Sequence, residues 1–381
     1  MLRLIFFFLV ISYFGIRTSM AQEALYFGIH QQFMSTRAMG MGNAHVAVAD
    51  DENAIFYNPA GTARKTDRKM NFFLKAGGDP DVKDFMDDLD KAQDATTQEI
   101  ADLIESKYGE HYSLRAPSLG FIWATPRWSL AFIPADVTVE MGLHQSVGPS
   151  VNLVAFQDTT LAYSRAWNVK KVQYGRLDLG ATAKLIYRGH LDKIVNLVDI
   201  QTGKVLEAED SNEGMTADLD FGVLWQAPEY SSGFFSFLQP SLGMNIRNML
   251  DYGYFSNLGL YSDDKNGDPE KLHRVIDVGT AFKLPKWSLW STQLAIDVRD
   301  ILHPNWTIEK GLHAGLEFNW EMFSWWKGGW RVGMNQMYWT AGFTGQMWVF
   351  KLDLSTFGRE VGTSSQKKED RVFMATASID F

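Results

Sequence analysis

From residue 118 to the C-terminus the chain alternates apolar and polar positions with a period of two, segment after segment. In residues 274–284, Ile276, Val278, Thr280 and Phe282 fall on one side, and Asp277, Gly279, Ala281 and Lys283 on the other. Likewise Leu294, Ile296 and Val298 oppose Gln293, Asp297 and Arg299, while Leu177, Leu179, Leu185 and Tyr187 oppose Asp178, Thr182, Lys184 and Arg188. Successive strand side chains point to opposite faces, so this period predicts strands with one apolar face. With 69–76 as the first, the segments are 118–124, 128–139, 154–166, 175–193, 214–226, 240–248, 274–284, 288–300, 310–320, 330–335, 340–347, 350–359 and 371–381, fourteen in all. Residues 81–108 break the rhythm. There Val82, Phe85, Met86, Leu89, Ile100, Leu103 and Ile104 recur at helical spacing among acids, which predicts two helices joined near Ala95-Thr96-Thr97. An interfacial helix would favour Lys and Arg on its polar face, so this acidic stretch reads as a packed or solvated loop insert spanning 79–110.

Alternation alone fits a soluble sandwich as well as a barrel whose apolar face meets lipid. Two regularities favour the barrel. The links alternate in kind: 125–127, 285–287 and 348–349 are tight, whereas 77–117, 194–213, 249–273 and 360–370 are long and polar. Short turns at one end and long loops at the other are the habit of outer-membrane barrels. The tryptophans agree. Of thirteen, all but Trp306 and Trp339 fall in or near the short-turn ends, as an aromatic belt at one membrane interface would place them. In lipid every backbone polar group needs an internal partner, and a sheet achieves that only by closing on itself. The expected fold is an all-β transmembrane barrel of about fourteen antiparallel strands. The last strand ends on Phe381, with Ile379, Ala377, Ala375 and Phe373 on the same side, a terminal pattern like the one bacterial barrel-assembly machinery recognises.

The N-terminus explains how such a barrel reaches its membrane. Arg3, the apolar run at 4–16 and the small residues at Ser19 and Ala21 read as a cleaved signal peptide over residues 1–21, too short to span as a helix. Its removal takes Arg3 and Arg17 with it and shifts the net charge from −9 to −11, which argues against a nucleic-acid partner. No cysteine is present, so the exported chain uses no disulfides. The localisation expected is the outer membrane of a bacterial cell, with membrane lipid as the first partner.

Between leader and barrel (residues 22–66 before a barrel of 67–381) lies a segment of another kind. Residues 37–61 read RAMGMGNAHVAVADDENAIFYNPAG: small residues at Gly40, Gly42 and Ala44, paired acids at Asp50 and Asp51, and a rigid close at Asn58-Pro59-Ala60-Gly61. Pro59 fixes φ, biases Asn58 towards extended geometry, and Gly61 is free to turn. Ahead of a barrel, this stretch resembles the N-terminal hatch of FadL-type outer-membrane transporters of long-chain fatty acids and other hydrophobic compounds. It is similar also to the PorV-like branch of that superfamily, associated with type IX secretion. The resemblance rests on Arg37-Ala38-Met39-Gly40-Met41-Gly42, Ala47-Val48-Ala49-Asp50-Asp51 and Asn58-Pro59-Ala60-Gly61. It implies passive uptake of hydrophobic small molecules past a plug in which Gly40, Gly42, Asp50, Asp51, Asn58, Pro59, Ala60 and Gly61 shape the hatch. The alternative it leaves open is a secretion component that binds exported proteins.

Nothing points to catalysis, a cofactor or a metal. The eight histidines show no metal-ligand spacing, and no P-loop, G-x-S-x-G or G-x-G-x-x-G stands in a suitable context. The acidic run at 263–268 has His273 where a calcium loop needs a bidentate Glu, so it reads as a polar turn. If the ligand carries a carboxylate, the lumen-facing cations Lys184, Arg188 and Arg299 are the candidates to meet it, unless they pair with neighbours such as Asp297 or Asp277.

Overall fold

The computed structural model describes residues 27–92, 95–145, 149–172, 175–202, 210–228, 237–261, 267–363 and 365–381. The leader at 1–21 and most of the 263–268 turn lie outside them. Inside the lumen come two short helices, α1 (Thr36–Gly40) and α2 (Ala54–Tyr57), and a 3-10 turn (Pro59–Arg64). The wall begins with β1 (Lys69–Gly78). After α3 (Val82–Ala92) and α4 (Thr97–Ser106) come β2 (His111–Thr125), β3 (Trp128–Gln145), β4 (Pro149–Val172) and β5 (Gly175–Val195). Beyond α5 (Leu197–Gln201) follow β6 (Asn212–Gln226), β7 (Pro240–Arg247), β8 (Val275–Lys283), β9 (Trp290–Ile301), β10 (Leu312–Phe323), β11 (Trp326–Asn335), β12 (Tyr338–Met347), β13 (Phe350–Glu360) and β14 (Glu369–Asp380). Each strand pairs antiparallel with its chain neighbours, and β1 pairs with β14 from Asn71↔Asp380 to Gly78↔Phe373, closing the barrel.

The polarity of the wall is that of a membrane barrel. Phe72, Leu74, Leu161, Leu185, Val278, Ile296, Leu352 and Leu354 point outward and are exposed, while Asn71, Lys75, Asp158, Lys184, Asp277, Asp297 and Asp353 point inward and are buried. A soluble sandwich would reverse this. Lipid covers the outer face, and no helix among the described residues is long and apolar enough to cross a membrane. At the short-turn end the indoles touch: Trp123 and Trp128 have ring centroids 4.9 Å apart, Trp320 and Trp326 5.4 Å, and Trp325 and Trp348 5.8 Å. Trp339, by contrast, starts β12 at the other end. On β14 the terminal Phe373, Ala375, Ala377, Ile379 and Phe381 do share the outer face, and Phe381 N–H donates to the Met70 carbonyl at 2.9 Å.

The loop parity holds with three exceptions: 146–148 and Gln336-Met337 are short links at the long-loop end, and 227–239 is a longer link at the other. The strands β3 to β6 are longer than their segments predicted, β4 running 24 residues against 8 for β7. The alternation that turns Glu140 into the lumen turns Met141 and Leu143 out, and the predicted two-helix insert covers them. Phe85 stacks on Tyr112 with centroids 4.6 Å apart, and Ile100 and Ile104 pack with Met141, Leu143, Leu153 and Leu191. A capping box between Thr96 and Glu99 starts α4 where the joint was expected.

Candidate functional site: a seated hatch and a break in the wall

Residues 27–68 thread the whole lumen. At the long-loop end the Phe27 N–H donates to the Val361 carbonyl at 3.2 Å, and Lys310 Nζ donates to the Phe27 carbonyl at 2.5 Å. At the short-turn end the Arg127 N–H donates to the Thr62 carbonyl at 3.1 Å. Between them the hatch folds by its own capping. Ser35 Oγ accepts from the Ala38 N–H at the start of α1, and Asn58 Oδ1 accepts from the Ala60 N–H as Pro59 opens the 3-10 turn. Asn58 Nδ2 then reaches the Val46 carbonyl at 2.9 Å and the Val223 carbonyl of β6 at 3.1 Å, so one side chain ties the hatch both to itself and to the wall.

Contact with the wall is backbone against backbone. Gly40 faces Gly342, and a Cβ on either would fall within 2.9 Å of the other's Cα. Three cross-strand glycine pairs, Gly180↔Gly222, Gly243↔Gly279 and Gly315↔Gly333, line the bed. A side chain on Gly180 would strike Pro59 at 2.3 Å, one on Gly243 the Val46 carbonyl at 2.5 Å, and one on Gly315 the Met41 carbonyl at 2.2 Å. A hatch seated this closely has little room to rock.

Charge completes the seating. Arg37 Nε and Nη2 donate to both oxygens of Glu317 at 2.8 and 2.6 Å, while its Nη1 donates to Asp50 at 2.8 Å and Asp51 at 3.0 Å. Arg331 shares Glu317 at 2.6 Å, and Glu52 bridges Lys351 at 3.2 Å and Lys69 at 3.1 Å. Burial alone would raise the Asp51 carboxyl, but the His45 imidazole and the Arg37 guanidinium beside it hold it well below the usual carboxylate range. For Glu52, Lys351 and Lys69 outweigh burial in the same sense. A depressed folded-state pKa means this stabilisation is complete above the unfolded value, near pH 4, and is lost as pH falls below it. Replacing Arg37 with leucine strands buried acids, and breaking such a pair from one side costs about 3–5 kcal/mol. The expected result is faster amide exchange across 36–61 with the strands still protected; unchanged exchange would show that the ion pairs do not hold the hatch.

The candidate cations from the sequence all face the lumen and are all engaged. Lys184 Nζ lies 2.8 Å from Asp220, Arg188 takes both oxygens of Asp158 at 2.7 and 2.8 Å, and Arg299 donates to the Asn43 carbonyl at 3.0 Å with its guanidinium over the Tyr57 ring. His30 stacks on Phe156 at 3.9 Å near Arg188, where burial pushes its imidazole down to about 4. His111, Glu140 and Asp370 come together with metal-ligand reach, but Arg359 already bridges the two carboxylates, at 2.9 Å from Glu140.

Among the described residues, the β2–β3 ladder stops and then resumes within the wall. The β2–β3 ladder pairs Arg115 with Thr138 and Phe121 with Phe132, and lapses for 116–120 and 133–137. Pro117 and Pro134 stand in that interval and have no amide to donate. Register shifts against the outer neighbours, in β1–β2 at Lys75/Gly77 and in β3–β4 at Ile133/Asp136, show both strands bulging there. On the lumen side lies an apolar patch. Phe33 stacks on Phe56 at 4.3 Å, and Ile55, Phe73, Ile122 and Ile133 pack with them. On the lipid side a groove of about 940 Å³ runs from Phe132 and Pro134 past Phe72 and Phe121 to Phe343 and Phe350. A second cavity, about 270 Å³ beneath the hatch, is polar and lined by Arg37, Glu52, Lys69 and Arg331.

The class defined by this architecture is a closed fourteen-strand transmembrane barrel with an internal hatch. No protein-family model matches the chain, and no curated protein matches it in sequence. Among solved structures, the toluene transporter TbuX of Ralstonia pickettii superposes with a TM-score of 0.49 at 9% identity, over 91% of this chain and 98% of its own. The toluene transporter TodX of Pseudomonas putida gives 0.46 at 9% identity, over 92% and 98%, and the monoaromatic hydrocarbon channel CymD gives 0.44 at 10%, over 90% and 95%. At these identities the likeness is one of fold.

The residues singled out from the sequence at 40–61 lie in the segment that fills the lumen, but sequence reasoning missed the glycine bed, the prolines of the break, and the aromatic patch behind it. The signal for the break was present. A proline inside a strand pattern belongs to an edge or a bulge, and Pro134 sits inside the predicted segment 128–139.

Proposed function

We propose that the protein is an outer-membrane channel for passive passage of hydrophobic or amphipathic compounds, long-chain fatty acids among them, with the hatch as a fixed plug and the β2–β3 break as the exit. The observation that carries this reading is the lapse in the ladder with apolar surface on both of its sides. Unpaired backbone facing hydrocarbon is costly, and two prolines reduce that cost only at the place where the wall must open. A molecule leaving sideways enters the hydrocarbon core directly and gains about 0.8 kcal/mol for each CH₂ it buries. Passage straight down would bring it against the paired charges of Arg37, Glu317, Glu52 and Lys351, with no such gain. A carboxylate head group would have to compete with Asp158 for Arg188 or with Asp220 for Lys184. The compound is taken up unchanged, with no chemical step assigned to the chain. The test is uptake of labelled oleate and labelled toluene by cells with an intact outer membrane, with and without the protein. The expected result is faster uptake of at least one compound when the protein is present. Equal rates for both would overturn the reading.

A further inference from the structure

The break in the wall is not an open hole, because one side chain lies across it. Phe73 points inward from β1 and is register partner to Gly120 of β2. A Cβ on Gly120 would fall 2.1, 2.6 and 2.7 Å from three atoms of the Phe73 ring, so the ring occupies the space a side chain at 120 would have taken. Gly120 ends the unpaired interval of β2, which places the ring over the strand edge bordering the gap. The same ring lines both the 940 Å³ groove on the lipid side and a cavity of about 30 Å³ on the lumen side, where Phe33 and Lys75 are its neighbours. It is thus the partition between the two spaces.

Its seat is fixed on the lumen side. Lys75, two residues along β1, holds Asp136 at 3.0 Å, and Arg115 holds the same carboxylate at 2.9 Å. Lys75 Nζ also stands 4.5 Å from the Phe33 ring centroid and 5.9 Å from that of Phe73. Asp136 lies in the unpaired interval of β3, so the ion pair spans the gap from β1 while the ring fills it. A phenylalanine moves between staggered χ1 wells, and this ring is retained by contact with Phe33 and the long Lys75 cation–π approach, with no hydrogen bond to hold it.

We propose that Phe73 is the gate of the lateral exit and sets its selectivity: molecules no broader than the benzyl side chain they displace, such as unbranched alkyl chains or single aromatic rings, pass, and fused-ring compounds do not. The proposal rests on the function proposed above, and two readouts separate the failure of one from the failure of the other. The first is transport, comparing toluene with pyrene in cells carrying the wild type, Phe73→Ala or Phe73→Trp. The expected result is that wild type admits toluene and excludes pyrene, Phe73→Ala raises pyrene uptake about tenfold or more, and Phe73→Trp slows toluene. The second needs no transport. In this cysteine-free chain, Ile55→Cys puts a single thiol in the hatch behind the ring, and pyrene maleimide dissolved in the bilayer of reconstituted vesicles probes it. Labelling rises sharply when Phe73→Ala is added. If labelling rises and no variant transports either compound, the partition stands and the channel reading falls. If labelling and pyrene exclusion are both unchanged in Phe73→Ala, with the barrel assembled as in wild type, Phe73 is not the gate.

Discussion

Valine at position 42 unseats the hatch. Gly42 has φ +64°, and a Cβ there would stand 2.2 Å from the Ala314 carbonyl oxygen, 2.4 Å from the Met334 oxygen and 2.8 Å from the Met334 nitrogen. The left-handed conformation alone costs an L residue about 1–2 kcal/mol, and more for a β-branched one. The clash is the larger effect, because all three atoms belong to wall backbone already committed to the β10–β11 ladder. The wall cannot yield without losing hydrogen bonds in lipid, so the hatch must. The barrel is expected to assemble normally, since its own pairing is untouched. Residues 36–61 become open to added protease, and planar-bilayer recordings show steady conductance where the wild type is silent. A variant that is both protease-resistant and silent would contradict the seating described here.

Closing the wall gives the second large effect. The Pro117→Val, Pro134→Val pair restores two amide donors and places β-branched residues in both strands at the break. Each ladder hydrogen bond gained contributes about 1 kcal/mol, and the bonds cooperate along the interval. Uptake of the transported compound is expected to fall on the order of tenfold, an added barrier of about 1.4 kcal/mol, while hatch protection and barrel assembly stay at wild-type levels. Uptake at the wild-type rate from a variant whose ladder is shown to be complete would remove the break from the route.

The barrel was legible in the sequence because its signals repeat. Ile276, Val278, Thr280 and Phe282 tell the same story as Leu352 and Leu354, and the tryptophans repeat it at the short-turn ends. The hatch was legible for a different reason: Asn58, Pro59 and Gly61 each constrain backbone, and such constraints can be read residue by residue. Its bed could not be read that way. Gly180 and Gly222, or Gly315 and Gly333, lie far apart in the chain and become one surface only when the register sets them opposite. The break is different: Pro134 stands inside a predicted strand, where a proline marks an edge or a bulge. Lys184, Arg188 and Arg299 were placed on the inner face correctly by alternation. Of the anticipated partners Asp277 does stand 3.9 Å from Arg299, while Arg188 and Lys184 pair instead with Asp158 and Asp220 on the neighbouring strands β4 and β6.

The central claim is that the hatch stays in place while molecules leave through the wall. Thr36 in α1 and Thr376 in β14 hold their hydroxyl oxygens 2.6 Å apart, close to the roughly 2.05 Å of a disulfide. With no cysteine elsewhere, Thr36→Cys with Thr376→Cys gives one covalent lock between hatch and wall. The measurement is the uptake rate of this variant before and after reduction. The account predicts equal rates in both states; a rate that is low when the lock is closed and recovers on reduction would show that the hatch must move.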